Sequence, residues 1–454
     1  MTDELAWLGI AEGSALLQRN GLSSVEWTEA LLARIEKYDD RLCSSLTVMT
    51  EEALLQARQA DEERAQGRVR GPLHGVPIGV KDVVQIAGFP TSAHSAVLAD
   101  NVSQADAELV VRFRDAGAVF LSKHAQYEFS YGGPSFDLPW PPARNPWSLD
   151  RIPGGSSSGS GAAVAAGFCA GAIGTDAGGS IRQPSAYCGI TGLKPTAGLL
   201  PRDGIIPLSF SLGEPGPMAR SALDCSLLLD VMTGCREASQ PDIDLARVRI
   251  GVLSDVFNGA VWVDPQVITA LRAALAVFSD AGASVANIES PDLRDLDACG
   301  RIILLTEGYA NHEKLLLEDP YRYGKIGRHR LIIGAFLSAA DYVQAIRKKA
   351  ILAAEMDKLF DEVDVLITAG EVSGAPRFSD ASASFGFTGE PSLRMPFTVS
   401  GGPSLVVPCG FDRDGLPLSM QIAGRVGTDR LVLGVAVAFQ KLTSWHVERP
   451  SEFN

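Results

Sequence analysis

The stretch RIPGGSSSGSGAAVAAGFCAGAIGTDAGGSIRQPSAYCGITGLKPT, from Arg151 to Thr196, carries most of the information in this chain. It places two glycine-rich segments that contain serine, GGSSSGSG (154–161) and GTDAGGSIR (174–182), on either side of a run of small apolar residues. Glycine permits positive φ angles and lets a ligand approach the backbone closely. A serine in such a segment therefore suggests a nucleophile surrounded by backbone N–H groups.

The first segment, GGSSSGSG, has the composition of a flexible linker or turn. It runs, however, directly into the apolar sequence AAVAAGFCAGAIG (162–174), which indicates that it opens a buried helix. Serine and glycine suit the start of a helix better than its interior. The unpaired N–H groups there favour negative charge, as in phosphate binding or oxyanion chemistry. The segment lacks the Lys-Ser/Thr ending of a P-loop, which disfavours nucleotide binding.

The same segment formally matches the nucleophile elbow G-x-S-x-G, with Ser157 at its centre. That mechanism requires an acid and then a histidine further along the chain. His312 and His329 lie in charged sequence of helical character, so His446, in TSWHVERP, is the best candidate. An elbow also needs a strand directly before it, and IPGG is a poor strand sequence. We therefore disfavour the elbow.

Lys81 lies in a second unusual segment, GVPIGVKDVVQ (75–85), which alternates glycine and proline with valine and isoleucine. Most lysines are exposed and solvated. This segment instead predicts a buried strand or turn, in which Asp82 would point to the opposite face and would not hold Lys81 charged. A desolvated lysine has a depressed pKa and can act as a general base.

GTDAGGSIR is the strongest single segment, although Asp-Ala-Gly-Gly would also form a purely structural turn. In the functional interpretation, Ala177, Gly178, Gly179 and Ser180 direct consecutive N–H groups to one point. Such a nest can hold a developing oxyanion beside the Ser180 hydroxyl.

Together with three further segments, these motifs resemble the amidase signature family, which uses a Ser–cis-Ser–Lys triad. The resemblance covers most of the chain and is densest from Gly71 to Arg220. It is carried by LHGVPIGVKD (73–82), RNPW (144–147), PGGSSSGSGAAVAAG (153–167), GTDAGGSIRQPSAYCGITGLKPT (174–196), GPMARSALD (216–224) and FTVSGGPSLVVPCGFDRDGLPLSMQIAG (397–424).

The resemblance implies a role for each matching residue. Ser180 would be the nucleophile, Ser156 the bridging hydroxyl after a cis peptide bond, and Lys81 the base. The N–H groups of residues 177–180 would form the oxyanion hole. The remaining implied positions are Asp176 and Arg182, which would brace the loop; Ser157, which would hydrogen-bond Lys81; and Tyr131, Gly132 and Gly133, which would line the acyl side of the substrate. No cofactor and no metal is implied.

The whole chain favours a single α/β domain, since no low-complexity linker divides its 454 residues and 46% of them are apolar. The resemblance implies a central mixed β-sheet surrounded by α-helices. We predict an N-terminal helical region packed on the core (1–65) and an amidase signature domain (66–454). The latter divides into a signature core at about 71–234, a lobed middle at about 235–345, and a closing helix and strands at about 346–454.

Several local patterns predict individual elements. Ser23 and Glu26 form a capping box before a helix, and Thr50 is placed to cap the next one. The sequence from Val248 to Ser290 predicts strand–helix–strand, and 339–370 predicts a long amphipathic helix followed by the strand DVLIT. The glycine-rich patch 377–392 lacks periodicity and is a candidate lid over the leaving-group side.

Charge and targeting patterns limit the partners that we expect. The net charge of −14 disfavours binding to nucleic acid. The acidic N-terminus does not resemble a signal peptide, and the run 161–174 is too short to span a bilayer. The seven cysteines include no C-x-x-C pair, which favours reduced thiols. We therefore expect a cytoplasmic enzyme without a membrane partner, and leave a homodimer open.

Our expected function is hydrolysis of the C–N bond of small or aryl amides, with anilides and carbamates as variants. The family also contains the amidase subunit of the tRNA-dependent amidotransferase and other partner-dependent hydrolases of amides or urea-type compounds, which use the same triad. These remain the alternative. A non-catalytic binding protein is a distant one, because all three triad residues are present.

Overall fold

The computed structural model describes residues 2–235, 243–380 and 391–453. Within them the chain forms one mixed sheet of eleven strands flanked by helices, in the order β1-β3-β2-β4-β6-β5-β10-β11-β9-β7-β8. The strands are β1 Ser45–Val48, β2 Pro77–Lys81, β3 Val119–His124, β4 Gly171–Asp176, β5 Thr191–Lys194, β6 Glu214–Ala219, β7 Arg249–Leu253, β8 Ser284–Ile288, β9 Val365–Ala369, β10 Ser404–Phe411 and β11 Pro417–Gly424. The expected α/β fold with a central mixed sheet is confirmed.

The helices surround this sheet along the whole described chain. They are α1 Thr2–Leu5, α2 Ile10–Gln18, α3 Ser24–Leu42, α4 Thr50–Ala65, α5 Glu108–Asp115, α6 Ser158–Ala165, α7 Arg182–Cys188, α8 Ala222–Met232, α9 Asp255–Asn258, α10 Pro265–Asp280, α11 Leu293–Glu318, α12 Lys325–Ile332, α13 Ala339–Leu359, α14 Met395–Val399 and α15 Asp429–Leu442. None of the described helices is long and apolar enough to cross a bilayer.

Parallel pairing is confined to two parts of the sheet. Strand β2 pairs in parallel with β3 and β4, and β7 pairs in parallel with β8 and β9. The central strands β6, β5, β10 and β11 pair in antiparallel fashion. Because β2 and β4 run in the same direction, Lys81 and Asp176, at their carboxyl ends, reach the same edge of the sheet.

The glycine at position 79 allows β2 and β3 to pack closely beside the site. A Cβ atom on Gly79 would lie 1.9 Å from Cε1 of the His124 ring, which is itself fully buried. Burial lowers the pKa of His124 to about 3, so the ring is neutral. The glycine in GVPIGVK therefore makes room for a neutral imidazole next to the strand that carries Lys81.

Most of the predicted elements are present. The capping box of Ser23 and Glu26 is formed, the region from 249 folds as β7–α9–α10–β8, and α13 leads into β9. Thr50 does not cap α4: it is the first helical residue, and Met49 precedes it without a side-chain hydrogen bond. The N-terminal region also contains β1, which joins the edge of the sheet by pairing with β3.

Candidate active site

Lys81, the last residue of β2, is fully buried. Its Nζ atom lies 2.7 Å from Ser156 Oγ and 2.7 Å from Thr175 Oγ1. Burial lowers the pKa of Lys81 well below its usual value, and the negative charge of Asp176 opposes that shift without cancelling it. Burial thus favours the neutral form of this amine, which lies between two hydroxyl groups.

The neighbouring carboxylate, Asp82, points away from this amine. Its Oδ1 atom lies 2.9 Å from Lys123 Nζ, and its Oδ2 atom accepts hydrogen bonds from the backbone and the hydroxyl of Ser92. Alternation along an extended chain explains the separation, because consecutive side chains point to opposite faces. Asp82 therefore pairs with Lys123. As the sequence predicted, it does not pair with Lys81.

Ser156 and Ser157 precede helix α6, whose residues are all buried. The Gly155–Ser156 peptide bond is cis, as the resemblance implied. The Ser157 N–H donates to the carbonyl of Ser180 at 3.0 Å, which joins the two serine segments. The expected hydrogen bond from Ser157 to Lys81 is wrong, because the Ser157 hydroxyl donates to the carbonyl oxygen of Thr175 at 3.2 Å.

Thr175 takes the place expected for Ser157 beside the lysine. It lies on β4, directly before Asp176, and its hydroxyl is the second partner of Lys81 Nζ. The sequence interpretation missed this residue. The available signal was its position in GTDAGGS, one residue before the turn, where alternation places it on the face opposite to Asp176.

The loop from Asp176 to Arg182 carries Ser180 and is organised by the buried carboxylate of Asp176. Asp176 Oδ1 accepts from the Gly179 N–H at 2.7 Å, and Oδ2 accepts from the Ile181 N–H at 3.2 Å. Gly179 has a φ of 115°, a conformation that favours glycine. Since the Gly179 N–H is engaged within the loop, an oxyanion would depend on the remaining N–H groups of the segment 177–180.

Arg182 pairs with Asp176 and links the loop to the other end of the chain. Its Nε and Nη2 atoms donate to Asp176 at 3.0 Å each. Burial raises the pKa of Asp176, but the charge and hydrogen bonds of Arg182 outweigh it and hold that pKa well below the usual range. Nη1 donates to the carbonyl of Arg394 at 2.7 Å and to Oε1 of Gln421 at 2.9 Å. The guanidinium thus fixes the serine loop to β11 and to the start of α14.

Ser156 and Ser180 lie together in the wall of two cavities. The first, which we call the arginine cavity, has a volume of about 510 Å³. The charged residues that line it are Asp297, Arg301, Arg330, Glu371 and Arg394. The second, which we call the Glu214 cavity, has a volume of about 450 Å³ and is lined by Thr175, Asp176, Ala177 and residues of the segment 202–215.

Of the three residues predicted to line the acyl side of the substrate, one lies in the wall of a cavity and two do not. Tyr131 lines the arginine cavity, where the guanidinium of Arg330 lies 4.3 Å from the centre of its ring. Gly132 and Gly133 follow it in the chain and do not line either cavity. Phe129 packs against His312, with ring centres 4.3 Å apart, and so has a packing role.

The arginine cavity is completed by residues that the sequence interpretation did not identify. Arg330 lies on α12, Asp297 and Arg301 on α11, and Arg394 directly before α14. Sequence periodicity gave no signal for them, because α11, α12 and the residue before α14 reach the two serines only through tertiary packing. Of the candidate lid, residues 381–390 lie outside the described part of the chain, whereas Pro391 and Ser392 line this cavity.

The nucleophile elbow finds no support in this geometry. Ser157 lines neither cavity, and residues 152–157 form no strand. Of the three histidines considered as partners, His329 lines the arginine cavity, His312 pairs with Tyr323 at 3.1 Å, and His446 lies in a short 3-10 helix near the C-terminus.

Comparison with known proteins agrees with this geometry. The Amidase family model matches residues 26–433. The chain is 35% identical to the A subunit of glutamyl-tRNA(Gln) amidotransferase from Roseiflexus sp. (strain RS-1), over 98% of both chains. It is 37% identical to the protein of that name from Methylococcus capsulatus, over 97% of this chain and 98% of the other.

Solved structures show the same fold. A crystal structure of an amidase superposes with a TM-score of 0.87 at 29% identity, covering 96% of this chain and 99% of that one. The native peptide amidase from Stenotrophomonas maltophilia has a TM-score of 0.84 at 30% identity, with 98% of each chain covered. The chain therefore belongs to the amidase signature family, whose enzymes hydrolyse C–N bonds.

The buried pair of Asp176 and Arg182 generates a prediction about stability and activity. Replacing Asp176 by Asn leaves the Arg182 charge buried without its counter-ion, which should lower the free energy of unfolding by about 3–5 kcal/mol. It should also lower kcat at least about 100-fold, because the loop that carries Ser180 loses its hydrogen-bond acceptor. Thermal unfolding and amide turnover measure the two effects.

Asp364→Asn is the matched control. Asp364 also pairs with an arginine, Arg249, at 2.8 Å, but both side chains are partly exposed at the surface. Its loss should cost at most about 1 kcal/mol and should leave kcat unchanged. Equal stability and equal turnover of the two variants would show that the buried pair does not hold the loop.

Proposed function

We propose that this protein hydrolyses small amides through an acyl-enzyme on Ser180, with Lys81 as the base acting through Ser156. The observation that supports this most strongly is the 2.7 Å contact between Lys81 Nζ and Ser156 Oγ in a fully buried setting. A serine hydroxyl is a weak nucleophile until a base removes its proton. Lysine can be that base only when it is neutral, and burial favours the neutral form.

The proposed reaction has two stages. In the first, the Ser180 oxygen attacks the amide carbonyl while its proton passes through Ser156 to Lys81. The N–H groups of Ala177, Gly178 and Ser180 hold the negative charge that develops on the carbonyl oxygen. The same proton then returns through Ser156 to the amide nitrogen, and the C–N bond breaks to release the amine. In the second stage, water attacks the acyl-enzyme by the same route and releases the acid.

The charges in the arginine cavity favour a small polar acyl group. Arg301 pairs with Asp297 at 2.5 Å, and Arg394 pairs with Glu371. Among the described residues, the lining of this cavity includes three arginines, Arg330 being the third, and two carboxylates. A substrate whose acyl portion carries a carboxylate would be attracted to it. Aryl amides, anilides and carbamates would use the same chemistry at Ser180.

The second candidate is the amidase subunit of a tRNA-dependent amidotransferase. Both relatives described above are A subunits of glutamyl-tRNA(Gln) amidotransferases, and each matches over nearly the whole chain. Their names support this candidate more directly than a stand-alone hydrolase. Glutamine hydrolysis that requires an added partner protein, with transfer of the ammonia to glutamyl-tRNA, would establish it. Hydrolysis of amides by the purified chain alone would favour the stand-alone enzyme.

The depressed pKa of Lys81 predicts the pH dependence. Because the base must be neutral, kcat/KM should rise with pH through the lowered pKa of Lys81 and reach an alkaline plateau. Lys81→Arg should lose at least about 100-fold in kcat at every pH, because a guanidinium does not deprotonate. Initial rates from pH 5 to 10 measure the profile.

Lys123→Arg provides the control for that experiment, since Lys123 is also a buried lysine but pairs with Asp82. It should retain the pH profile of the wild type, even if its stability changes. A wild-type kcat/KM that falls as the pH rises from 5 to 9, or a Lys81→Arg variant with normal turnover, would rule out lysine as the base.

The arginine cavity predicts a preference among acyl groups. Succinamate should be hydrolysed with about tenfold higher kcat/KM than 4-methylpentanamide, which has the same shape without the charge. Arg330→Gln should bring this ratio close to one, whereas Arg58→Gln, on the exposed face of α4, should leave it unchanged. Glutamine and benzamide in the same panel extend the comparison to zwitterionic and aryl substrates. Equal rates for the isosteric pair would contradict the assignment.

A further inference from the structure

The two cavities meet at the reacting residues. Ser130, Ser156, Ser180 and Leu208 line both the arginine cavity and the Glu214 cavity. An amide bond held at Ser180 would therefore have one substituent on each side. The Glu214 cavity, at about 450 Å³, has room for much more than ammonia.

The position of Lys81 indicates which side receives the amine. Its second partner, Thr175, lines the Glu214 cavity and not the arginine cavity. In the proposed reaction the proton returns from Lys81 through Ser156 to the leaving nitrogen. That nitrogen should thus lie on the side of Ser156 that faces Thr175.

The charges of the two cavities match the charges of the two products. Hydrolysis of an amide at neutral pH yields a carboxylate and an ammonium ion. Of the described residues, three arginines and two carboxylates line the arginine cavity. The Glu214 cavity has the opposite balance: Asp176, Asp203 and Glu214 line it with a single arginine, Arg202, and the charge of Asp176 is taken up by Arg182.

Glu214 is a buried carboxylate with an unused acceptor. It is the first residue of β6 and only 5% exposed. Its Oε1 atom accepts from the Gly198 N–H at 3.0 Å, whereas its Oε2 atom is buried and has no hydrogen-bond partner among the described residues. A buried carboxylate oxygen without a partner is costly unless a ligand supplies one.

The cations near Glu214 do not fully offset the effect of burial on its carboxylate. Burial raises the pKa of Glu214, although the Gly198 N–H and the charges of Arg202, Lys194 and Lys349 act to lower it. Arg202 donates to the carbonyls of Phe210 and Gly213, and Lys194 donates to the carbonyl of Pro195. An additional cation or N–H donor in the cavity would therefore stabilise the ionised carboxylate.

We propose that the Glu214 cavity is the subsite for the leaving amine, and that Glu214 binds an ammonium or N–H group on that part of the substrate. This inference rests on the proposed amidase function and extends it to N-substituted amides whose amine portion carries a positive charge. Glu214 is thus a specificity-determining residue, and the triad performs the same reaction with or without it.

Paired substrates test this inference. N-(2-aminoethyl)succinamate and N-propylsuccinamate have the same shape and differ by one charge on the amine side, as do the N-(4-aminobutyl) and N-pentyl homologues. The 4-methylpentanoic amides of the same four amines lack the carboxylate on the acyl side. They show whether the preference on the amine side is independent of the acyl group. For the better of the two chain lengths, kcat/KM of the wild type should be about tenfold higher for the charged member.

Variants at position 214 then assign the preference to this side chain. Glu214→Gln should bring the charged-to-neutral ratio close to one, and Glu214→Asp should restore part of it. Glu318→Gln, at the exposed end of α11, should keep the wild-type ratio. A purely structural role of Glu214 would lower both members of a pair equally and leave the ratio unchanged, which would overturn the inference.

The wild-type protein provides a test that does not depend on the folding of a variant. Butylammonium should inhibit hydrolysis of succinamate at concentrations at which 1-pentanol does not, and equal inhibition by both would overturn the inference. If the folded wild type hydrolyses succinamate but shows no charged-to-neutral preference, this inference alone fails. If it hydrolyses none of the primary or substituted amides, the proposed function fails and the inference falls with it.

Discussion

The site depends on the burial of one amine. Lys81 Nζ contacts two hydroxyl oxygens, and among the described residues no carboxylate forms an ion pair with it. An ammonium ion in such a setting would lose its hydration without gaining a counter-ion, so burial favours the neutral amine. The nearby strands maintain this setting: Asp82 pairs with Lys123, and the neutral ring of His124 fills the space beside Gly79.

The second constraint is the buried pair of Asp176 and Arg182. Such a pair gains little net stability over an apolar alternative, but removing one partner is costly. Here the pair also determines geometry, because Asp176 binds the backbone of the Ser180 loop while Arg182 binds β11 and the residue before α14. Segments more than 200 residues apart in sequence are thereby fixed around one serine.

The sequence predicted the core of this arrangement because its determinants are local. Glycine content, small residues at the start of α6 and the apolar surroundings of Lys81 are properties of short segments, and the family resemblance extends them to a fold. The same local reasoning failed for Ser157 and missed Thr175, because which of two adjacent hydroxyls reaches Nζ depends on how β2 and β4 pair. It also missed Arg330 and Arg394, which approach the serines only through the packing of α12 and of the segment before α14. Strand β1 was missed because four residues between two long helices carry a weak pattern.

The most direct test of the central claim is the site of covalent labelling. Purified protein would be treated with a fluorophosphonate, and the modified residue located by peptide mass spectrometry. We predict an adduct on Ser180 in the wild type and its loss in Lys81→Ala. An adduct on Ser157, or labelling of Ser180 that persists at the wild-type rate in Lys81→Ala, would contradict it.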